Sequence, residues 1–296
     1  MLPTMVTDPN PAALNVLPGE YRQIYDRLLE VATADARVVR VWLSGSLGRG
    51  AVDAGSDLDV VLAINELDFE EFTADWREWL ARVTPTVLAR ELPGRPGSWY
   101  SVTPDCARFD AVVVPARARD ADRPLGRRLV YDRDAEVLDA PASDAAAAGE
   151  AEADPGTGPD PQRLAGVVEE FLRQQAGFAP SVVSRGDWLL GVVAIEQVQL
   201  MLYQLFVESN QPLPKSGVKQ WSAKLTATQR HLCAELPVPR AERYEVLNAM
   251  FASASAFRAE AVAILAANSV AWPEALDTAV REHQARVLGW RFPAAV

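Results

Sequence analysis

Between Pro141 and Pro161 the chain consists almost entirely of Ala, Gly, Pro and acidic residues, leaving almost nothing to bury. A stretch of that composition cannot offset the entropy of ordering itself, so it reads as a tether between two separately folded parts. The 296 residues are ample for two such parts. The tether also separates two patterns. Strand-like and helix-like segments alternate before it, whereas only helix-like segments follow it. The expectation is an α/β (α+β) domain with a mixed sheet at 18–140, preceded by a flexible arm at 1–17. After it come the linker at 141–161 and an all-α helical bundle at 162–296.

Charge follows the same division. The net charge is −11, but Asp134 to Gln162 holds eight acidic residues and neither Lys nor Arg; without them the remainder carries only −3. The acidity therefore belongs to a local solvated segment, and no basic stripe is visible, which argues against a nucleic-acid partner. No uncharged apolar run reaches bilayer length, and the Pro-rich N-terminus has neither the basic segment nor the apolar core of a signal peptide. A membrane partner is not expected. Two scattered cysteines, Cys106 and Cys233, fit neither a disulfide framework nor a zinc site. Both read as small core residues of a cytoplasmic chain.

In the first half, Gly19 to Thr33 carries an amphipathic stripe of Tyr21, Ile24, Tyr25, Leu28, Leu29 and Val31, the pattern of a helix. Val38 to Leu43 is a β-branched strand, and Leu58 to Ile64 is a nearly continuous apolar run, as in a strand covered on both faces. Phe69 to Val83 has one helical stripe. Thr86 to Leu92, Ser98 to Val102 and Ala107 to Val114 read as strands, with Leu129 to Asp132 as a final edge strand.

Within that frame, Val41-Trp-Leu-Ser-Gly-Ser-Leu-Gly-Arg-Gly50 ends a strand in a Gly-Ser turn, and Ser56-Asp-Leu-Asp-Val-Val-Leu62 opens the next. Side chains two apart on a strand share a face, so Asp57 and Asp59 project together. Two carboxylates so placed, beside a glycine-rich turn, suit a magnesium–phosphate site better than a structural role. The turn is not a dinucleotide-binding fingerprint, whose spacing it lacks. Nor is it an ATPase-type phosphate loop, because no Gly-Lys-Ser/Thr closes it. Asp110, in Arg108-Phe-Asp-Ala-Val112, lies on a later strand. It is either a third carboxylate of the site or the ion-pair partner of Arg108, two residues earlier on the same face.

Gly-Ser, ten intervening residues, Asp-x-Asp at the head of an apolar strand and a lone Asp on a later strand together resemble the nucleotidyltransferase superfamily shared with DNA polymerase beta. The resemblance implies that Gly45 and Ser46 contact the phosphates of a nucleoside triphosphate such as ATP. It implies that Asp57, Asp59 and Asp110 hold magnesium as two ions, and that Asp110 also takes the proton from an attacking hydroxyl. Magnesium prefers carboxylate and phosphate oxygens, and a pair of ions can assist both attack and departure in an in-line displacement. Arg49, beside the turn, is a phosphate candidate by position. In layout the chain resembles the aminoglycoside and lincosamide antibiotic nucleotidyltransferases, which join such a domain to a helical one. The Leu129 to Arg133 edge and the Leu213-Pro-Lys-Ser-Gly-Val-Lys-Gln-Trp221 segment fit that layout.

The second half reads as helices over Arg163 to Gln175, Trp188 to Val207, Ser222 to Leu236, Ala241 to Ala267 and Pro273 to Leu288, punctuated by prolines. Lys215 and Lys219, between helices, either reach the triphosphate or are simply solvated. Glu196 interrupts an apolar helix, where a charge is costly unless paired. It is either one end of a buried ion pair or, with Gln199 and Tyr203 at i, i+3 and i+7, part of a face receiving a cationic or hydroxyl-rich acceptor. Asp187 belongs instead to a capping arrangement with Ser184. The expected reaction is transfer of AMP, or another nucleoside monophosphate, to a hydroxyl of a small acceptor, first of all an aminoglycoside-type antibiotic. The rivals are a protein-modifying nucleotidyltransferase of the toxin–antitoxin kind and a nucleotide-binding protein without catalysis. The oligomeric state is left open.

Overall fold

The computed structural model describes residues 5–6, 11–92, 95–117, 127–133, 158–213 and 221–294. The chain divides into two compact units, Met1–Glu150 and Ala151–Val296. The first is an α/β unit with a mixed sheet and the second is all-α. Most of the acidic tether, and with it Lys215 and Lys219 of the later loop, lies outside the described residues.

The first unit runs β1 (Met5–Val6), a 3₁₀ turn (Ala12–Val16), α1 (Gly19–Ala34), β2 (Val38–Leu43), α2 (Gly45–Arg49), β3 (Leu58–Ile64), α3 (Phe69–Ala74), α4 (Trp76–Val83), β4 (Leu88–Glu91), β5 (Ser98–Val102), β6 (Arg108–Pro115) and β7 (Arg128–Asp132). The seven strands lie in the order β1-β7-β2-β3-β6-β5-β4. Only β3 and β6 pair in parallel; every other neighbour is antiparallel. A parallel pair needs a crossover, and here α3, α4 and the β4–β5 hairpin supply it.

Three expectations change. Residues 1–17 are not simply an arm: Met5–Val6 pairs with β7, and the 3₁₀ turn buries Leu14, with Leu17 just after it. β7 is consequently not an edge strand, since it sits between β1 and β2. A two-residue strand is too short to show periodicity, so its neighbour looked like the end of the sheet. The Phe69–Val83 stripe is two helices, because the backbone leaves helical geometry at Asp75 (φ −87°, ψ 6°) and α4 starts afresh after it.

Alternation along β3 separates two faces. Leu58, Val60, Leu62 and Ile64 join the main core with Tyr25 and Leu28 of α1 and Trp76 and Trp79 of α4. Val61 and Ala63 face the other way, in a small cluster with Trp42, flanked by Val112, Val114 and Leu129. Asp59 shares the parity of Val61, and Asp110 that of Val112. The carboxylates thus stand at one end of the face opposite α1 and α4.

Asp35 ties the helix layer together. It follows the C-terminus of α1, where a negative charge is unfavourable, yet its side chain is only 9% exposed. Burial alone would raise its pKa. Hydrogen bonds from the Arg37 side chain and backbone, the Arg37 charge and a bond from Arg82 outweigh burial and bring it down to about 2. A carboxylate depressed in the folded state contributes stability that is complete above its unfolded pKa and disappears as pH falls through the folded one. Because Arg82 is half exposed, screening reduces the contribution. Asp35→Asn is expected to cost ~1–2 kcal/mol at pH 7, and the difference should shrink between pH 4 and pH 2 in urea titrations. A gap that persists unchanged at pH 2 would contradict the ion-pair account.

The second unit comprises α5 (Pro161–Phe178), which continues into a π turn (Ala179–Val183), then α6 (Trp188–Ser209), a 3₁₀ turn (Ser222–Lys224), α7 (Ala227–Glu235), α8 (Arg243–Ala267) and α9 (Glu274–Leu288). Asp160 and Asp187 cap α5 and α6 by accepting backbone N–H bonds. Asp187 is itself the N-cap residue of α6, not the far member of a box begun by Ser184. The stretch 222–236, expected as one helix, is divided because Thr226 and Gln229 form a reciprocal capping box that starts α7. Phe171 of α5 stacks on Phe257 of α8 at 3.9 Å between centroids. Gly191 lets α6 approach α8 closely, since a Cβ there would lie 2.5 Å from Val246 Cγ1.

α6 and α8 are long and apolar enough, by length and composition, to cross a membrane. Each nevertheless carries charge within its apolar run, Glu196 in α6 and Arg258 in α8. Arg258 is buried against Asp277 of α9 at 2.6 Å, and Asp277 in turn accepts from Arg281. Removing one partner of such a pair would leave an uncompensated buried charge, which is strongly destabilising.

Candidate active site

The sheet brings the sequence's carboxylates to one place. In the parallel β3–β6 ladder Asp59 is the register partner of Asp110, and such partners stand about 4.8 Å apart across the strands. Asp57 lies two residues before Asp59, with its side chain 30% exposed. Both Asp59 and Asp110 are half-buried.

The Gly-Ser turn is fastened directly to Asp59. The Ser44 N–H donates to the Asp59 carbonyl at 2.9 Å, and Gly48 N–H returns to Ser44 O at 2.8 Å. Gly45 has φ +56°, and a Cβ there would fall 1.8 Å from Asp59 Oδ2. The turn therefore needs glycine twice over, for its left-handed backbone and for the space the carboxylate occupies. Ser46 Oγ is buried and has no hydrogen-bond partner among the described residues. A buried hydroxyl in that state costs free energy until something accepts from it or donates to it. Arg49, at the end of α2, is exposed.

The loop from α2 to β3 is tightened by Asp53, whose Oδ1 accepts from Gly55 N–H (2.9 Å) and Ser56 Oγ–H (3.2 Å). This fixes the chain just ahead of Asp57. Arg108 then locks the other side. Its guanidinium donates to Gly55 O at 2.8 Å and lies 3.4 Å from Asp57 Oδ2, while its backbone N–H donates to the Tyr21 hydroxyl at 3.2 Å. The structure adds Asp57 as a carboxylate beside Arg108, a contact that the sequence did not offer. That role was missed because the two residues meet only through the β3–β6 pairing.

Asp59 carries the electrostatic signature of the site. Burial, and then the negative charge of Asp57, push its carboxyl up to about 6, against opposing pulls from Arg108 and Arg49. Two crowded carboxylates on a sheet end form a hard-oxygen donor set that suits a divalent cation such as magnesium. Among the described residues, however, no group of three or more His, Cys, Asp or Glu stands in ready metal-binding geometry. The donor chemistry fits the ion; the three carboxylates are neighbours without being a finished cage.

The remaining predicted residues fall elsewhere. Lys215 and Lys219 lie outside the described residues. Glu196, on α6, is exposed, which removes the reading of a buried ion pair. With Gln199 and Tyr203 it lines a pocket of about 550 Å³ within the helical unit, together with Trp221 and Arg230. Of the cysteines, Cys106 is buried as expected, but Cys233 is only half-buried and lines that pocket.

No family model matches the chain, and no curated protein matches it. Among solved structures it is similar to an aminoglycoside 6-adenyltransferase from Bacillus subtilis. The identity is 14%, the match covers 90% of this chain and 97% of that one, and the TM-score is 0.36. A likeness of that degree adds nothing to what the geometry itself supports.

Proposed function

We propose that the chain is a magnesium-dependent nucleotidyltransferase. It moves AMP, or another nucleoside monophosphate, from a nucleoside triphosphate to a hydroxyl of a small acceptor and releases pyrophosphate. The observation that carries this reading is the in-register Asp59–Asp110 pair, with Asp57 beside it and the Gly45 turn closed against Asp59.

In this reading Asp57 and Asp59 hold the cations, and Asp110 accepts the proton of the attacking hydroxyl. That oxygen forms a new bond to the α-phosphorus as the α–β bridging bond breaks, and the electron pair leaves with pyrophosphate. Arg49 and Ser46 contact the departing phosphates. Magnesium, when bound, would supply the neutralisation of phosphate charge. Arg108 and the Asp53–Ser56 turn hold Asp57 in its orientation. Positioning and fixed charge account for most of the acceleration.

The test is incubation with ATP, magnesium and a panel of hydroxyl-bearing small molecules, aminoglycosides among them, followed by mass spectrometry. An AMP adduct on a small molecule is the expected result. Label on protein instead would favour the protein-modifying alternative, and absence of both adduct and nucleotide binding would overturn the proposal.

A further inference from the structure

The pocket in the helical unit is formed by α6, the Ser222–Lys224 turn and α7, and three of its polar side chains, Gln199, Tyr203 and Arg230, hold its walls together. Gln199 donates its amide to Pro237 O at 2.9 Å and to Ser253 Oγ at 3.2 Å. Arg230 donates to Leu225 O at 2.7 Å and to Ser222 O at 3.2 Å. The Tyr203 hydroxyl points at Trp221 O, 3.5 Å away. The Tyr203 ring stacks on Trp221 at 4.2 Å between centroids and 15° between planes, while Trp221 remains 50% exposed. Leu200, Leu225 and Leu236 complete an apolar surface.

Glu196 differs from all of these. It lies on the same face of α6 as Gln199 and Tyr203, it is exposed, and its carboxylate makes no ion pair with any described residue. The pocket therefore joins aromatic and aliphatic walls to two charges, the Glu196 carboxylate and the Arg230 guanidinium, of which the guanidinium is turned onto the backbone carbonyls of Ser222 and Leu225.

We infer that this pocket binds a small amphiphilic monocation, an apolar ring body bearing one ammonium group, with the ring against Tyr203 and Trp221 and the ammonium at Glu196. Apolar walls favour a ring through the area removed from water, and aromatic faces and a carboxylate both attract an organic cation. A polyhydroxylated polycation fits poorly. It would bring many polar groups against the apolar faces of Tyr203, Trp221, Leu200, Leu225 and Leu236, and each group left unsatisfied on burial is penalised. This inference concerns a binding site of the helical unit and stands apart from the nucleotidyl-transfer reading.

The experiment is calorimetry on the full chain with 2-phenylethylammonium, its neutral counterpart 2-phenylethanol, and an aminoglycoside. The ammonium compound is expected to bind at least about fivefold more tightly than the alcohol. Glu196→Gln should reduce its affinity to that of the alcohol, and Trp221→Ala should weaken both; each position is exposed enough for the fold to tolerate the change. Equal binding of amine and alcohol, indifference to Glu196→Gln, tighter binding of the aminoglycoside, or no binding at all would each overturn the inference. Asp59→Asn should leave pocket binding intact. If pocket binding behaves as expected while the unsubstituted chain binds no magnesium nucleotide, the transfer reading fails and the pocket inference survives.

Discussion

Asp59→Asn is expected to lower the proposed nucleotidyl transfer by at least about 10³-fold while leaving the fold intact, because it removes charge from the place proposed to hold phosphate and cation. Asparagine keeps the volume and one acceptor oxygen, so the loss would report charge and not shape. The carboxyl at this position is pushed up to about 6 by burial and by Asp57, so without a cation it is a strained member of the fold. The variant should accordingly melt no lower than the parent at pH 7.5 in chelator-treated buffer. Loss of activity with an undiminished melting temperature is the result that assigns Asp59 to function. Asp57→Asn should have a smaller stability margin, because Arg108 would lose its contact with the Asp57 carboxylate. Full activity in either variant would remove the metal assignment. Binding of manganese to the nucleotide-free chain, followed by its relaxation effect on water, gives a second readout that does not pass through turnover.

How much of this was legible in the sequence depends on how local the cause is. Val38–Leu43 was legible to the residue because its apolar, β-branched run is bounded on both sides by turn chemistry. α1 and α9 were legible within a residue or two because each carries its own periodicity. Asp75 divides a continuous helical stripe without any glycine or proline to mark it, so the break between α3 and α4 was not. Within the site, the pairing of Asp57 with Asp59 is fixed by spacing alone. That Asp110 meets Asp59, and not one of its neighbours, is a matter of β3–β6 register, which no single segment encodes. Arg108 shows the same limit, since its approach to Asp57 depends on the β3–β6 pairing and not on spacing within one segment. The helical pocket was half legible. Glu196, Gln199 and Tyr203 follow from helical phase, but Trp221 and Arg230 arrive from segments whose approach no periodicity announces.

Gly45→Ala is the second substitution with a large expected effect, and it discriminates more sharply than loss of a carboxylate. At φ +56° an alanine pays about 1–2 kcal/mol in backbone strain alone. Its Cβ would also stand 1.8 Å from Asp59 Oδ2 and 2.7 Å from Asp59 Cγ, well inside van der Waals contact. Asp59 is held from behind by Ser44 N–H on its carbonyl and by the β3–β6 ladder, so its backbone cannot retreat. The carboxylate must therefore rotate away or the turn must lift, and either motion displaces an oxygen by more than the roughly 0.5 Å that a functional site tolerates. Activity is expected to fall by about 10²-fold or more, with a melting temperature lowered by several degrees, as a 1–2 kcal/mol loss implies for a unit of this size. Gly50→Ala supplies the control. It carries a comparable positive φ of 68°, but a Cβ there meets nothing within 4 Å. It should lose similar stability through strain and retain most of its activity. If the two variants lose activity equally, the turn acts only through general stability; if Gly45→Ala alone is inactive, the close approach of turn to carboxylate is what the glycine is for.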